Sequence, residues 1–345
     1  MASTEYKALV LTGKRQLLLE TRKMKPLMPE QVRVKMVAVG ICGSDMHYFN
    51  TFGNVGYGLR HPLILGHEAS GIIVEVGENV SRLSPGEKVV VNPLMHCGIC
   101  PACRRGQLSL CEDAQFPGSA LTVPHIDGFF REYFETAERC CLKMPESVDL
   151  SIMALADPLA CALHAIGQVD GVMGKRVLIT GVGTVGVMSA AASRACGATE
   201  IVVTGRKPHA LAIAKHMGAD MVVDTTANAD LAGLGCFDVV METTGVAPLI
   251  VEGLRLLRKG GSMVQIGSPS GEGITVPWVL FMEKELRVTG AMRWNNEFEV
   301  AVSHILCGRI DPAPVLSGQF KISDGDQAFE AAADHNKNMK VQFIA

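Results

Sequence analysis

The segment Arg176-Val-Leu-Ile-Thr180-Gly181-Val-Gly183-Thr-Val-Gly186 decides the fold of this 345-residue chain. Its short apolar run predicts a buried strand, and the three glycines that follow predict a tight turn that opens a helix. The first glycine permits the turn, the second lets a pyrophosphate approach the backbone amides, and the third lets the helix pack on the sheet. An ordinary strand-to-helix turn is the alternative. We interpret the segment as a dinucleotide site that contains Gly181, Gly183, Thr184, Val185 and Gly186.

Strands and helices alternate on both sides of this segment. Such alternation predicts a parallel, doubly wound sheet of the Rossmann type, which we assign to residues 156–291. The predicted strands are 176–180, 200–204, 221–223, 238–242, 262–266 and 286–289, and the predicted helices begin at Thr184 and Pro208 or cover 246–258.

The first 150 residues have a different pattern, in which short valine-rich runs are separated by glycine and proline. The runs 31–39, 71–77 and 88–91 predict a mainly β domain. The strand-helix alternation ends near Ala291, and we expect the remaining tail to return to this first domain. The sequence therefore predicts an α/β protein of two domains, formed by 1–155 with 292–345 and by 156–291.

The choice of cofactor depends on the end of the second predicted strand. An NAD site usually has a carboxylate there, about 20 residues after the glycine turn, to bind the ribose 2′-hydroxyl. No Asp or Glu occurs from 201 to 219, and the strand ends in Thr204-Gly205-Arg206-Lys207. Gly205 is expected to leave room for a 2′-phosphate, and Arg206 to bind it through two hydrogen bonds. NADP is favoured and NAD is possible; alternatively, Arg206 lies in solvent or stacks on adenine.

Four cysteines form a compact metal-binding pattern. Cys97, Cys100, Cys103 and Cys111 are separated by two, two and seven residues. Four thiolates so close in sequence can surround one zinc ion and leave no open coordination position, which is typical of a structural site. The other cysteines outside position 42 have no ligand-like spacing and are interpreted as small buried hydrophobic residues.

A second set of metal-binding residues comes from separated segments. Cys42 with His67 and Glu68 offers one thiolate, one imidazole and one carboxylate. Such a mixed set holds zinc while leaving a fourth position for water or substrate, so this site is predicted to be catalytic. Taken alone, Cys42 would be a buried thiol and His67 a core histidine, but their occurrence beside Glu68 and the four-cysteine loop favours zinc. Two zinc ions per chain are predicted.

Composition excludes several classes of function. The chain is 48% hydrophobic and 19% charged, with a formal net charge of −3, so it has no extended positive surface for nucleic acid. The start has no secretory signal pattern, and the longest uncharged stretch, 177–193, divides into strand, turn and helix rather than a membrane span. We expect a cytoplasmic protein that binds neither membrane nor nucleic acid.

Several motifs resemble those of the zinc-dependent medium-chain alcohol dehydrogenases across essentially the whole chain. The resemblance rests on the motifs Gly66-His67-Glu68-Ala-Ser-Gly71 and Cys42-Gly-Ser44-Asp45. Asp157-Pro158-Leu and Arg293-Trp294 resemble the polyol dehydrogenase branch, and Phe116-Pro-Gly-Ser-Ala resembles its L-idonate-oxidising members. The resemblance implies a GroES-like catalytic domain followed by a Rossmann domain, and a homo-oligomer, either dimer or tetramer. The cofactor site is expected to include Thr243, Ile266, Gly267 and Arg293 as well.

The resemblance also implies catalytic roles. Ser44 would accept the proton of the substrate hydroxyl, and His47 would pass it to solvent. Asp45 would orient His67, or it caps a turn. Glu68 and Asp157 are alternatives for one zinc ligand, because branch members carry Glu where this chain has the shorter Asp157. We expect Glu68 at rest.

Tyr48, Phe116 and Trp294 match positions that line the substrate pocket in the branch, together with Ser44, while Arg293 is expected to face either the cofactor or a substrate carboxylate. We predict reversible oxidation of a secondary hydroxyl on a sugar acid such as L-idonate. The alternatives are a polyol dehydrogenase acting on sorbitol or xylitol, a metal-free quinone or enone reductase, and a non-catalytic protein that retains the scaffold.

Overall fold

The computed structural model describes residues 5–54, 57–226, 231–269 and 273–345. The chain forms two compact units, one made of 1–157 with 316–345 and the other of 158–315. Each unit has its own sheet and core, and the two are described in turn.

The first unit is mainly β, as the sequence predicts. Its strands are β1 (Glu5–Gly13), β2 (Gln16–Lys23), β3 (Gln31–Gly40), β4 (Gly53–Asn54), β5 (Tyr57–Gly58), β6 (Leu63–Ile64), β7 (Glu68–Val76), β8 (Lys88–Val91), β9 (Tyr133–Ala137), β10 (Cys141–Lys143), β17 (Leu316–Lys321) and β18 (Lys340–Ile344). Its helices are α1 (Gly43–Thr51), α2 (Pro101–Arg104), α3 (Leu150–Met153) and α10 (Gly325–Ala333), and α4 (Ala156–Gly167) begins at its end.

The main sheet of the first unit runs in the order β10-β8-β7-β3-β18-β17, with β9 also paired to β3, and β2-β1-β6 form a smaller sheet. Three strands bring together residues that are far apart in the sequence. Gly40 on β3 pairs with Glu68 on β7 and with Gln342 on β18. The start of β18 therefore lies beside the end of β3 and the start of β7.

An aromatic cluster packs the first unit behind these strands. The ring of Phe329 lies 4.7 Å from that of Phe49 and 6.0 Å from that of Phe130, and Phe130 lies 4.9 Å from Phe343. Gly66 has a φ of +88°, and a Cβ atom there would collide with the Phe130 ring. Glycine is therefore required at position 66, and the turn it allows leads directly into His67.

The second unit confirms the doubly wound prediction. Its strands are β11 (Arg176–Thr180), β12 (Glu200–Gly205), β13 (Met221–Asp224), β14 (Phe237–Glu242), β15 (Leu257–Gln265) and β16 (Arg287–Gly290). Its helices after α4 are α5 (Thr184–Ala195), α6 (Pro208–His216), α7 (Ala247–Leu256), α8 (Trp278–Lys284) and α9 (Glu297–Leu306). All neighbouring strands are parallel, in the order β13-β12-β11-β14-β15-β16. This is the Rossmann order, with the change of winding direction between β11 and β14.

The boundary between the helix predicted over 246–258 and the strand predicted over 262–266 differs from the structure. Instead of continuing towards the glycine pair at 260–261, α7 ends at Leu256 and β15 starts at Leu257. Leu257 is fully buried and pairs with Phe237, so it extends the sheet. The pairing then shifts between Phe237 and Val239, and the two glycines lie in this irregular part of the ladder.

The second unit also keeps residues 292–315, which the sequence led us to expect in the first domain. The reason is the packing of α9: Phe298 is fully buried, and the Trp294 ring lies 5.5 Å from it. Nδ1 of His164 on α4 lies 3.2 Å from Oε1 of Glu297. The chain joins the first unit again at Leu316, where β17 begins.

One helical stretch, 150–167, has the length and apolarity of a membrane span, with a mean hydropathy of 1.6. However, 78% of it is buried inside the protein. Packing in the protein core accounts for its apolar composition.

Candidate active site and metal centres

Cys42, His67 and Glu68 come together in the first unit. Their candidate ligand atoms all lie within 4.8 Å of one another. Cys42 is the N-cap of α1, and Glu68 begins β7. A Cβ atom on Gly40 would collide with the Glu68 carboxylate, so glycine at the end of β3 provides the space that this side chain occupies.

Asp45 holds the two segments that carry these residues. Its Oδ2 accepts from the Cys42 amide at 2.9 Å, and its Oδ1 accepts from the Gly66 amide at 3.2 Å. Its Oδ1 also lies 3.9 Å from Nδ1 of His67, which is an electrostatic contact rather than a hydrogen bond. Burial raises the pKa of Asp45, against the opposing effect of His67. Asp45 thus both caps α1 and faces His67, so the two interpretations are compatible.

Lys340 is a member of this site that sequence reasoning missed. Its Nζ donates to both carboxylate oxygens of Glu68, at 2.7 and 2.8 Å, and to the Ile41 carbonyl at 3.1 Å. Burial lowers the pKa of Lys340, but the nearby Glu68 and Cys42 outweigh this and raise it above its usual value. The only signal in the sequence was a lysine at the start of β18, a strand in which Val341, Phe343 and Ile344 are apolar.

Asp157 lies in the same electrostatic environment but outside the three-atom cluster. Burial raises its pKa well above the usual value, with Glu68 and Cys42 adding to the effect and His67 and Lys340 opposing it. Its Oδ2 is buried and has no hydrogen-bond partner among the described residues, and the same holds for Nδ1 of His67.

These groups fit a zinc ion. A thiolate, an imidazole and a carboxylate are the donors that zinc binds in catalytic sites. Burial, with a further contribution from Glu68, raises the pKa of Cys42 to about 11, so the thiol is protonated at neutral pH unless a cation favours the thiolate. The buried Oδ2 of Asp157, which has no partner among the described residues, is a further acceptor for which a cation would compensate.

The two predicted proton carriers lie on α1. The half-buried Ser44 hydroxyl donates a hydrogen bond to the Cys42 thiol, which lowers the thiol's pKa against the larger effect of burial. His47 is exposed one helical turn later. Ser44 therefore lies beside a candidate metal ligand, and His47 lies nearer to solvent.

The predicted substrate residues divide between the units. In the first unit, the Phe116 ring lies 5.2 Å from the His67 ring, and the buried Tyr48 hydroxyl accepts from the Ala120 amide at 3.0 Å. In the second unit, Trp294 is 1% exposed, and Arg293 has a φ of +57°. The packing of Trp294 on Phe298 is its evident structural role; its contact with substrate stays a prediction.

The second predicted metal site also forms. Its four cysteines come together on the loop around α2; they are Cys97, Cys100, Cys103 and Cys111. The sulfur of Cys97 lies 4.0 Å from that of Cys103 and 3.5 Å from that of Cys111. Sulfurs around a tetrahedral zinc lie about 3.8 Å apart when each Zn–S bond is about 2.3 Å. The geometry fits one zinc held by four thiolates, and none of the eleven cysteines, all in described parts of the chain, is in a disulfide.

Backbone amides in this loop point at the sulfurs. The amides of Cys97, Cys100 and Cys103 donate to the sulfurs of Cys111, Cys97 and Cys100, at 3.3, 3.3 and 3.5 Å. The amide of Cys103, followed by that of Glu112, lowers the pKa of Cys100 to about 6. Such hydrogen bonds favour the thiolate form that zinc requires.

The glycine turn of the second unit has the expected shape. Gly181 has a φ of +104°, and a Cβ atom on Gly186 would collide with the Gly181 carbonyl. Gly183 is the N-cap of α5, and the space beside it holds no atom within 4 Å of where a Cβ would lie. A pyrophosphate can therefore approach the amides at the start of α5, including those of Thr184 and Val185.

At the end of β12, Gly205 packs against the glycine turn. A Cβ atom on Gly205 would collide with Val182, so this glycine makes room for the turn, and its role beside a 2′-phosphate stays a prediction. Arg206 is exposed, and the half-buried Lys207 is the N-cap of α6. Burial, and then the neighbouring Arg206, lower the pKa of Lys207. Two adjacent cations thus stand where an NAD site has a carboxylate.

The other predicted cofactor residues follow the next two strands. Oγ1 of Thr243 donates to the Thr180 carbonyl at 2.7 Å, and the amides of Ile266 and Gly267 donate to the Glu242 carbonyl at 2.8 and 3.0 Å. They lie at the carboxyl ends of the strands, on the same edge of the sheet as the glycine turn.

Comparison with known proteins agrees with both halves of this geometry. Residues 28–146 match the alcohol dehydrogenase GroES-like domain, and residues 184–306 match the zinc-binding dehydrogenase domain. The chain is 37% identical over 316 residues to L-idonate 5-dehydrogenase (NAD(P)(+)) of Escherichia coli, covering 90% of this chain and 91% of the relative. A crystal structure of L-idonate 5-dehydrogenase from Escherichia coli aligns with a TM-score of 0.94 at 33% identity, covering 99% of this chain and 98% of the other.

Two further relatives bear on substrate and cofactor. Sorbitol dehydrogenase of Bacillus subtilis is 32% identical over 343 residues, which cover 97% of this chain and 96% of the relative. A structure assigned as a zinc-binding dehydrogenase from Sinorhizobium meliloti, bound to NADP, has a TM-score of 0.90 at 29% identity and covers 99% of this chain and 100% of the other. Since two domain models together match more than half of the chain and relatives above 30% identity cover 90% of it or more, the chain belongs to the zinc-binding dehydrogenase family.

Proposed function

We propose that this dehydrogenase reversibly oxidises a secondary hydroxyl of a sugar acid of the L-idonate type, with two zinc ions per chain and a preference for NADP. The observation that carries the proposal is the cluster of Cys42, His67 and Glu68 ligand atoms within 4.8 Å. Likeness to L-idonate 5-dehydrogenase supports the sugar acid. Likeness to sorbitol dehydrogenase supports a neutral polyol as the second candidate.

Cys42, His67 and Glu68 would hold the catalytic zinc, which supplies the Lewis acidity that makes a substrate hydroxyl more acidic. Asp45 keeps Cys42 and the turn before His67 in place through its two amide contacts. Glu68 is favoured over Asp157 as the resting oxygen ligand because it belongs to the three-atom cluster, and Asp157 remains the alternative.

Proton removal is assigned to α1. Ser44 would accept the proton of the substrate hydroxyl at its Oγ while releasing its own hydroxyl proton towards the exposed His47, which exchanges it with solvent. The hydride acceptor is the nicotinamide ring, which is the chemistry that the bound cofactor supplies. Arg206 and Lys207 would bind a 2′-phosphate, and the structural neighbour bound to NADP supports this preference. Cytoplasmic location is part of the proposal.

A homo-oligomer is proposed through the free edge of β16. Among the described strands β16 pairs only with β15, so its other edge has unpaired backbone groups. Val288 on this strand is 47% exposed, and Trp278 and Met282 on α8 are 71% and 76% exposed. A second copy adding its own β16 would cover these apolar side chains.

Zinc content tests the metal assignment. The unaltered chain should contain two equivalents of zinc by elemental analysis, and Cys42→Ser and Cys100→Ser should each contain about one. Cys42→Ser should lose turnover but keep its fold, while Cys100→Ser should lose several degrees of Tm, because a closed zinc site contributes folding energy. Cys236→Ser, at an exposed cysteine outside both clusters, is the matched control. Equal zinc in all four proteins would contradict the assignment.

Turnover tests the substrate. We expect kcat/KM for L-idonate with NADP to exceed that for sorbitol or xylitol by at least about tenfold, because a site that binds a carboxylate discriminates against analogues without one. A higher value for sorbitol would establish the polyol alternative. Zinc-loaded, folded protein without turnover on either class would support the non-catalytic scaffold, and turnover by protein free of zinc would support the quinone reductase class.

Replacing Arg206 tests the cofactor preference. Arg206→Ser should raise KM for NADPH by about ten- to a hundredfold and leave KM for NADH nearly unchanged, since only the 2′-phosphate loses charge-assisted hydrogen bonds. Lys259→Ser, at an exposed lysine of the same unit, should change neither value. A parallel rise for both cofactors would refute recognition of the 2′-phosphate by Arg206.

Disrupting the free edge tests the oligomer. Val288→Lys should reduce the molar mass measured by light scattering to that of a smaller assembly, because a charge at this position would be buried against the second copy. Met173→Lys, at a residue that is 81% exposed elsewhere in the second unit, should leave the mass unchanged. A monomeric unaltered protein would disprove the proposed pairing.

A further inference from the structure

The last residue of β14, Glu242, is a fully buried carboxylate to which neither the sequence motifs nor the proposed chemistry gives a role. It belongs to the second unit and lies at the carboxyl end of the sheet. It pairs in register with Thr180, the last residue of β11, and with Gln265, the last residue of β15. The side chain therefore lies at the centre of three adjacent strand ends.

Five donors converge on this carboxylate. Oε1 accepts from the Thr180 hydroxyl at 3.2 Å, from the Thr244 amide at 2.9 Å and from the Thr244 hydroxyl. Oε2 accepts from the Gly245 amide at 2.9 Å and from the Gln265 side-chain amide. Glu242 thus links its two neighbouring strands to each other and to the loop that follows its own strand.

The residues held in this way are those predicted to bind cofactor. The main-chain carbonyl of Glu242 accepts from the Ile266 and Gly267 amides, and Thr243 is tied to the Thr180 carbonyl next to it. The fit is close, because a Cβ atom on Gly181 would lie 2.6 Å from Oγ1 of Thr243 and 2.7 Å from Cγ2 of Thr244. A small movement of the 243–245 loop would therefore disturb the glycine turn.

The position of Glu242 relative to the turn indicates which half of the cofactor is affected. A dinucleotide lies across the strand ends at the change of winding direction, here between β11 and β14. The glycine turn after β11 holds the pyrophosphate, and the end of β12 with Arg206 receives the adenosine ribose. The ends of β14 and β15 lie on the other side of β11 and receive the nicotinamide half.

We infer that Glu242 is a positioning residue that holds the 243–245 loop and the 266–267 turn in the shape that receives the nicotinamide half of the dinucleotide. This inference rests on the proposed dehydrogenase function. Every contact of the carboxylate is with a donor, so an amide of the same size would turn an NH₂ group towards donors and leave some of them without an acceptor.

Glu242→Gln in the full chain is the test, with NADPH and NADH as probes. The Kd of both, measured by nucleotide fluorescence, should rise together by about tenfold or more, since the loop contacts a part that the two cofactors share. Arg206→Ser changes the affinity for NADPH alone, so the two effects are distinguishable.

Val240→Ala is the matched control, because Val240 is a fully buried core residue of the same strand. It should lower Tm without changing either Kd. Unchanged affinity in Glu242→Gln, or an equal loss of affinity in both variants at equal Tm, would overturn the inference alone. Failure of the unaltered chain to bind either nucleotide would overturn the proposed function and this inference with it.

Gln265→Met removes one donor to Glu242. It tests the same inference if Glu242→Gln does not fold. Its Kd for both nucleotides should rise about threefold, as expected for the loss of one hydrogen bond. Unchanged Kd values in this variant would also overturn the inference.

Discussion

Charge burial is the constraint on which the active site depends. The first unit places the carboxyls of Asp45, Glu68 and Asp157 in its interior around the thiol of Cys42; the three carboxyls are buried and the cysteine is half-buried. Buried charges are stable only when they are paired or bind a metal. Lys340 pairs with Glu68, and the amides of Cys42 and Gly66 compensate Asp45, while Oδ2 of Asp157 has no protein donor among the described residues. The remaining demand for positive charge is what a divalent cation satisfies.

The backbone provides the space for these groups. Gly40 leaves room for the Glu68 carboxylate, and Gly66 leaves room for Phe130 directly before His67. The three strands that meet there, β7, β3 and β18, contribute Glu68, Gly40 and Lys340. Because neighbouring strands fix the relative positions of their residues, the sheet sets the position of Glu68, and Cys42 and His67 lie within two residues of the ends of β3 and β7.

Sequence predicted the elements whose signals are local. The strand 176–180 and the helix beginning at Thr184 agree with the structure because an apolar run and three glycines specify them within a few residues. The four-cysteine loop is similarly local. In contrast, Lys340 acts on Glu68 across 272 residues of sequence, and nothing near position 340 indicates that strand β18 begins beside the end of β3. The burial of 292–315 in the second unit was missed for the same reason, since it depends on contacts of α9 with α4.

The two predicted metal sites differ in a way that follows from where their ligands come from. The four cysteines lie within 15 residues, and amides of their own loop donate to the sulfurs of Cys97, Cys100 and Cys111, which lowers the pKa of Cys100. An ion bound by all four would add order to the loop. Cys42, His67 and Glu68 are held by Asp45 on α1 and by Gly40 and Lys340 on strands β3 and β18, so these contacts come from the fold itself. A site that is already formed by the fold can leave one coordination position free without losing its shape. Catalysis requires such a free position, whereas a structural site does not.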